Sequence, residues 1–239
     1  MRSFHIKLAV GLLLFCISCK KDLIEKESFL ATVNLVNAIS SNEAEIKMNF
    51  TGGNFNYAEG KGLGYFNYDG KYLNGALTYA ISADKSVPLI VTLATDTTKP
   101  LFSQAVNIAE GESYTLFTTG YLDAAAAFLV KDSLISRADS TGIRVVNLSP
   151  NSDKLNINIY WGNFSYQFTN LAYKDVTSFA AFPVNLSEPY YMVEIRDAVT
   201  DELYSEFFLD EATRQKNITL IVRGLVYGDP YLEVVRLNH

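Results

Sequence analysis

The residues able to do nucleophilic or metal chemistry are few, and they stand at the ends of the chain. Two cysteines and two histidines occur in 239 residues. Cys16, Cys19 and His5 fall within the first nineteen positions, and His239 is the last residue. Between Lys20 and Asn238 there is neither a thiol nor an imidazole. A Ser-His-Asp triad, a Cys-His pair and zinc sites built on His or Cys need such a side chain inside the fold, so none is expected. Gly60-Lys61-Gly62-Leu63-Gly64 has the glycines of a phosphate loop. It lacks the spacing, and no Ser or Thr follows the lysine. Carboxylates remain for acid–base work, but the 26 Asp and Glu offer many pairs and none stands out. Asp197, Asp201, Glu202, Asp210 and Glu211 fall at expected turns without EF-hand spacing and read as solvated. The sequence thus assigns no catalytic residue, no metal site and no cofactor, and the chain is read as non-enzymatic.

Aromatic residues are the other chemistry on offer. Between Gly52 and Tyr79 stand Phe55, Tyr57, Tyr65, Phe66, Tyr68, Tyr72 and Tyr79 among Gly and Asn. Such rings could stack on sugars if exposed. They could equally form a long hairpin covering its own sandwich, which is the favoured reading. Tyr190 and Tyr191 are adjacent, so in a strand one ring turns inward and the other outward. Trp161 ends an alternating strand on its apolar side and is expected in a core.

The start of the chain reads as an export signal. Arg2 and Lys7 precede an apolar run from Leu8 to Ile17, and Ser18-Cys19-Lys20-Lys21-Asp22 follows. About ten apolar residues are too few to span a bilayer, which takes about 20. Small Ser18 before Cys19 fits a lipoprotein signal, in which the cysteine is acylated and becomes the first residue. Cys16 in the position three before the cut departs from the usual Leu. The expected division is a signal over 1–18, with Cys19 as the lipid attachment site, and a tether over 19–30. The expected location is the cell envelope, at the outer membrane, through an N-terminal lipid anchor.

Loss of Arg2 and Lys7 from the 20 basic residues leaves 18 against 26 acidic ones. A chain this acidic lacks the field that nucleic acid requires. With both cysteines at or before the cut, the exported part has no disulfide and must rest on its core.

That core is built of strands. Leu155, Ile157, Ile159 and Trp161 alternate with Asn156, Asn158 and Tyr160, and Ile46, Met48 and Phe50 with Lys47 and Asn49. Period two with one apolar face signals half-buried strands. Ala124–Phe128 could be a helical turn, although Leu122–Val130 could equally be a strand. The strands also repeat in order. Val33-Asn34-Leu35-Val36-Asn37 matches Ile143-Arg144-Val145-Val146-Asn147, and Val91 and Leu93 match Val193 and Ile195. Leu101-Phe102-Ser103 matches Leu203-Tyr204-Ser205, and the run Tyr114 to Gly120 matches Ile218 to Gly224. A period near 100 residues predicts two tandem Ig-like antiparallel β-sandwiches, at 31–132 and 142–237, joined by a linker at 133–141.

The pattern Arg-Val-Val-Asn-x-Ser-Pro and then Leu-Asn-Ile-Asn-Ile, at 144 to 159, resembles a repeat domain of bacterial cell-envelope proteins. It is the domain of unknown function numbered 4397. Gly-Glu-Ser-Tyr-Thr-Leu-Phe-Thr-Thr-Gly at 111 to 120 is similar to another of its signatures. The resemblance runs over about 31 to 237, while the first repeat departs from it at Ala-Ile-Ser-Ser. With Cys-Lys-Lys-Asp at 19 to 22, the chain looks like a lipoprotein of the Bacteroidetes type. Asp96-Thr97-Thr98, Asp132-Ser133-Leu134 and Asp139-Ser140-Thr141 resemble O-glycosylation triplets of such proteins. The resemblance implies a structural, adhesive or ligand-presenting role and is silent on ligand. The alternative is a carbohydrate-binding accessory lipoprotein of a glycan-uptake system. Its partner would be a glycan or another envelope protein.

Overall fold

The computed structural model describes residues 29–42, 44–53, 62–65, 77–184, 190–210 and 216–239. The first half holds β1 (Leu30–Ile39), β2 (Ile46–Asn49), β3 (Leu77–Ser82), β4 (Asp84–Leu93), β5 (Pro100–Ile108), β6 (Ser113–Gly120) and β7 (Ala126–Lys131). The second holds β8 (Ser140–Asn147), β9 (Leu155–Trp161), β10 (Phe164–Leu171), β11 (Ala180–Pro183), β12 (Tyr191–Asp197), β13 (Leu203–Leu209), β14 (Asn217–Arg223) and β15 (Glu233–Asn238). The signal, Cys19, the tether up to Ser28 and most of the Gly52–Tyr79 aromatics lie outside the described residues.

Each half is a sandwich of two sheets. The first pairs a β3-β1-β6-β7 sheet with a β2-β4-β5 sheet, the second a β11-β8-β14-β15 sheet with a β10-β9-β12-β13 sheet. The order is the same in both. β1 corresponds to β8, β2 to β9, β3 to β11, and β4 to β7 correspond in turn to β12 to β15. Every sequence match named above falls on a pair of equivalent strands. β10 has no counterpart among the described residues. The equivalent stretch of the first half falls on residues 54–61 and 66–76, outside them.

The sheets are not wholly antiparallel. β1 runs parallel to β6, and β8 runs parallel to β14. A parallel neighbour cannot be reached by a hairpin and needs a crossover. Here the crossover is the visit to the opposite sheet, through β2, β4 and β5 or through β9, β12 and β13. The apolar pattern along a strand says which face is buried and nothing about direction. The stretch that could have been a helical turn is split, with a short 3-10 turn at Leu122–Ala124 and then β7.

Alternation places one face of each strand in a core. Ile46, Leu89, Val91, Val33, Leu35 and Leu116 are among those filling the first sandwich. Leu155, Ile157, Ile159, Val193, Ile195 and Leu220 are among those filling the second. Asn37 and Asn147, matched in the repeats, make the same local hydrogen bond near the end of the first strand of each sandwich, Asn147 as the last residue of β8 and Asn37 two residues before the end of β1. The Asn37 carboxamide accepts from the Ile39 amide at 3.1 Å, and that of Asn147 from the Ser149 amide at 3.0 Å. Each Nδ2 then donates to a neighbouring segment, to Ala44 O at 2.6 Å ahead of β2 or to Leu171 O at 3.1 Å at the end of β10. This local turn diverts the chain out of one sheet and towards the other.

A third core joins the halves. Val36, Phe117, Phe128 and Val130 from the first pack with Val146, Leu148, Ile221 and Val235 from the second. The β3-β1-β6-β7 sheet therefore lies back to back with the β11-β8-β14-β15 sheet. The molecule is four sheets deep, and β8 and β14 are buried along their whole length.

Candidate functional site

The chemistry-bearing side chains gather in two places, the seam between the sandwiches and the outer face of the second one. In the seam, Arg144 projects from β8 on the face opposite Ile143 and Val145. Its Nη2 lies 2.6 Å from Asp132 Oδ1, with the two side chains 2% and 1% exposed. Its Nε donates to Thr219 Oγ1 at 2.8 Å and its Nη2 to Thr115 Oγ1 at 3.2 Å, while the Phe179 ring lies 4.8 Å below the guanidinium. His239 Nε2 is 2.7 Å from Thr219 Oγ1, and Nδ1 is 3.6 Å from Asp132 Oδ2. Burial pushes the imidazole down to about 4, Asp132 opposes that shift, and the Arg144 charge adds to it. His239 is therefore neutral near pH 7, even beside a carboxylate.

Arg223 forms a second buried station in the seam. It donates to Asn37 O at 3.2 Å and Tyr65 O at 2.7 Å across the halves, and pairs with Glu233 at 2.9 Å within its own half. The Tyr65 ring lies 4.0 Å beneath it. Desolvated arginines can be held in this way because the guanidinium offers a planar fork of donors and stacks on rings. These groups tie two sheets together, and Asp132, Arg144 and Arg223 are buried there.

The seam corrects part of the sequence reading. Asp132, placed at the edge of a linker and in a glycosylation triplet, is buried. Ser140 and Thr141 are buried in β8 as well, so the triplet Asp139-Ser140-Thr141 is not presented. Two triplets keep a hydroxyl at the surface: Ser133 of Asp132-Ser133-Leu134 is exposed beside the buried Asp132, and in Asp96-Thr97-Thr98 Thr98 is exposed with both its Oγ1 and its amide bound to Asp96. Tyr65 is a seam residue, not a surface ring. Tyr79 is 39% exposed on edge strand β3. Phe55, Tyr57, Phe66, Tyr68 and Tyr72 lie outside the described residues. Tyr191 is buried and Tyr190 exposed, as alternation requires. Trp161 is half-buried against the second core. Asp197, read as solvated, is instead buried in its turn: its carboxylate accepts from the amides of Thr200 (2.7 Å) and Val199 (2.8 Å) and from Tyr204. Those amide hydrogen bonds hold its pKa below the usual carboxylate range. Among the described residues no three His, Cys, Asp or Glu are placed to hold a metal.

A cleft of about 480 Å³ opens in the first sandwich between β2 and β3, lined by Leu35, Ile46, Met48, Phe50, Leu77 and Tyr79 among others. In the second sandwich β10 occupies the equivalent place, and its Phe164 and Phe168 pack on Phe182. Residues 54–61 and 66–76 lie outside the described residues, and no ligand is assigned to the cleft.

The outer face of the second sandwich is a shallow depression of about 400 Å³ over β9, β10 and β12. Its polar side chains are hydrogen-bonded in a line. Gln167 donates to Asn158 Oδ1 at 2.7 Å, and Asn158 donates to Glu194 Oε2 at 3.5 Å. Glu194 also accepts from Tyr160 OH at 2.9 Å and from Arg196 Nε at 2.8 Å. The Arg196 hydrogen bond is the main cause of a Glu194 pKa below the ordinary value, so this carboxylate stays ionised. Sequence alternation had put Asn158 on this face. Only the strand register shows which side chains join it.

With that geometry in view, the comparison with known proteins is informative at one point. Residues 31–158 match the family described as Domain of unknown function (DUF4397). The chain belongs to this family. The match runs from β1 into β9, and is shorter than the 31 to 237 that the resemblance suggested. The DUF4397 region thus includes the whole first sandwich, Asp132, Arg144 and the Asn37 and Asn147 turns. No curated protein matches the chain. Among solved structures, the chain is similar to CBMbc, the family CBM26 module of Amy13K from Eubacterium rectale in complex with maltoheptaose. The identity is 14% over 86% of this chain and 95% of that one, with a TM-score of 0.25. It is also similar to a candidate adhesin from Bacteroides ovatus, at 10% identity over 86% and 92% of the two chains and a TM-score of 0.23. Likeness this low bears on neither ligand nor site.

Proposed function

We propose that this DUF4397 protein is a lipid-anchored cell-envelope module that catalyses nothing and works by presenting a rigid binding surface. The observation that carries the reading is the seam. Two sandwiches fused through a third core and a buried ion pair make one stiff body, with one sheet of each turned outward among the described residues. The polar groups of the seam are spent on structure: His239 is neutral and enclosed, and Arg144 and Arg223 are buried in ion pairs and hydrogen bonds. On the outer face Glu194 stays ionised. A glycosidase-type pair needs one carboxyl with a raised pKa to act as acid, and Glu194 is held the other way.

Anchoring through Cys19, at the outer membrane, rests on the sequence: Arg2 and Lys7, the apolar run and Ser18. Two or three acyl chains would hold firmly, each buried CH₂ contributing about 0.8 kcal/mol. The test is metabolic labelling with a fatty-acid probe followed by fractionation. Wild-type protein is expected in the membrane fraction with label, and Cys19→Ser in the soluble fraction without it. An unlabelled, soluble wild type would end the anchoring proposal.

A second reading, a glycan-binding accessory protein, is favoured by the polar line over β9, β10 and β12. It moves the candidate surface away from the Gly52–Tyr79 aromatics.

A further inference from the structure

We propose that the solvent face of the β10-β9-β12-β13 sheet binds an extended neutral oligosaccharide, an assignment that rests on the binding-module reading above. Strand register sets out two parallel rows on this face. In the first row Gln167 stands opposite Asn158, Asn158 opposite Glu194, and Glu194 opposite Glu206. In the second row Ser165 stands opposite Tyr160, Tyr160 opposite Met192, and Met192 opposite Phe208. The rows are two residues apart along each strand. One is made of amides and carboxylates, the other mainly of apolar and aromatic surface, with Phe208 56% exposed. Each crosses four strands, a span of about 14 Å at the usual interstrand spacing.

A sugar chain is the complement of such a pair of rows. Its ring edges carry adjacent hydroxyls that both donate and accept, which amides and carboxylates satisfy. Its ring faces carry C–H groups, which lie well on flat aromatic surface with a polar rim. The polar row is also held in place before any ligand arrives. Gln167, Asn158, Tyr160, Arg196 and Glu194 bond to one another, so less side-chain freedom is lost on binding.

Charge narrows the ligand class. Two like carboxylates directly across from each other, Glu194 and Glu206, destabilise a sheet. A sheet surface with no further role would not need them there. Arg196 offsets one of them at 2.8 Å, so the row is close to neutral with a surplus of acceptors. That repels phosphates and anionic polysaccharides, and it is too weakly negative to hold a strongly basic peptide through charge. The depression is shallow and open along the strands, which suits an extended chain rather than a compact molecule.

The test uses the whole protein and the hexasaccharides of the malto, cello, xylo, manno and β-1,3-gluco series, with oligolysine as a control. Binding is measured by titration calorimetry at low and high salt, and each mixture is analysed afterwards by chromatography. At least one hexasaccharide is expected to bind independently of salt. Phe208→Ala and the pair Asn158→Ala with Gln167→Ala should each weaken it roughly tenfold or more. All three are surface changes, and matching urea midpoints will show that the fold is kept. The site assignment fails if no hexasaccharide binds, if oligolysine alone binds, or if binding survives all three substitutions together. In that last case the binding-module reading stands and the site lies elsewhere. Shortened products in the chromatogram would overturn the non-catalytic reading instead, leaving the site where it is.

Discussion

Removing one charge from the seam should be far more costly than removing both. Asp132 and Arg144 are 2.6 Å apart with almost no solvent access. Asp132→Ala leaves a guanidinium buried against Phe179, with the hydroxyls of Thr219 and Thr115 as its remaining hydrogen-bond partners. Neither hydroxyl carries charge. Breaking a buried pair from one side costs about 3–5 kcal/mol, because the surviving ion has neither water nor a counter-charge. Asp132→Asn keeps one carbonyl acceptor and should fall at the lower end, about 3 kcal/mol. Adding Arg144→Met to Asp132→Ala removes the stranded charge and fills the site with apolar volume. What is left is the unmet hydrogen bonding of Thr115, about 1 kcal/mol, since Thr219 keeps its contact with His239 Nε2 at 2.7 Å. The double variant should therefore be more stable than Asp132→Ala alone. Equilibrium urea unfolding measures the series, and Trp161, the single tryptophan, provides a fluorescence signal from the second sandwich. A loss below about 1 kcal/mol for Asp132→Ala would mean that Arg144 reaches water, and the closed seam would be refuted.

Three further outcomes can be measured on the same footing. Ile157 is fully buried between Leu155 and Ile159, so Ile157→Ala should cost about 2–5 kcal/mol. Asn158→Ala, on the outer face, should stay within about 0.5 kcal/mol, and equal costs would refute the one-sided strand. His239 has a folded pKa of about 4, below its ordinary 6.5. The unfolded chain takes the proton first, so stability is full above the unfolded value and is lost as pH falls towards 4. Between pH 7 and pH 5 the loss should be about 2 kcal/mol, and His239→Gln should abolish that difference. Residues 140–239 produced without the first half should unfold at lower urea than the whole chain and expose apolar surface to a hydrophobic dye. An unchanged midpoint would show that the seam contributes nothing to stability.

How much of this was legible depends on what a polar residue was taken to face. Strand positions were readable because Ile157 and Val193 alternate with Asn158 and Glu194, and the repeat could be followed because matched runs keep their order. The same rule failed in β8 and β14. Arg144, Thr219 and Arg223 alternate with apolar neighbours as surface residues do, yet they face another sheet. Composition cannot tell a solvent-facing polar stripe from one that meets a complementary stripe of another sheet, as Arg144 meets Thr115 and Asp132. Asp132 was lost for the same reason, since Ser, Asp and Arg around it read as linker. A signal was there: Val36 and Val146 are apolar at positions where the alternation calls for polar residues, which marks a strand buried on both faces. Strand direction was not legible at all.

The Asn37 and Asn147 turns and the seam explain why the sandwiches come as a pair. Each Asn bonds locally at or just before the end of its strand, the chain then crosses to the far sheet, and the first strand is left flanked by β3 and β6 or by β11 and β14. That sheet has one face on its own core. Its other face carries Val36, Phe117, Phe128 and Val130 in the first half, and Val146, Leu148, Ile221 and Val235 in the second. Either face alone would be a large apolar patch, of the kind that marks an interaction surface. Placed back to back they cover each other, and Asp132 from the first half neutralises Arg144 from the second. The match to the family ends inside β9, beyond the first sandwich and beyond Arg144. It therefore contains both members of the ion pair that closes the seam, but not the β14 partner that completes the second sheet. The surface open to the proposed ligand is accordingly on the outermost sheets, where Glu194, Asn158 and Gln167 stand.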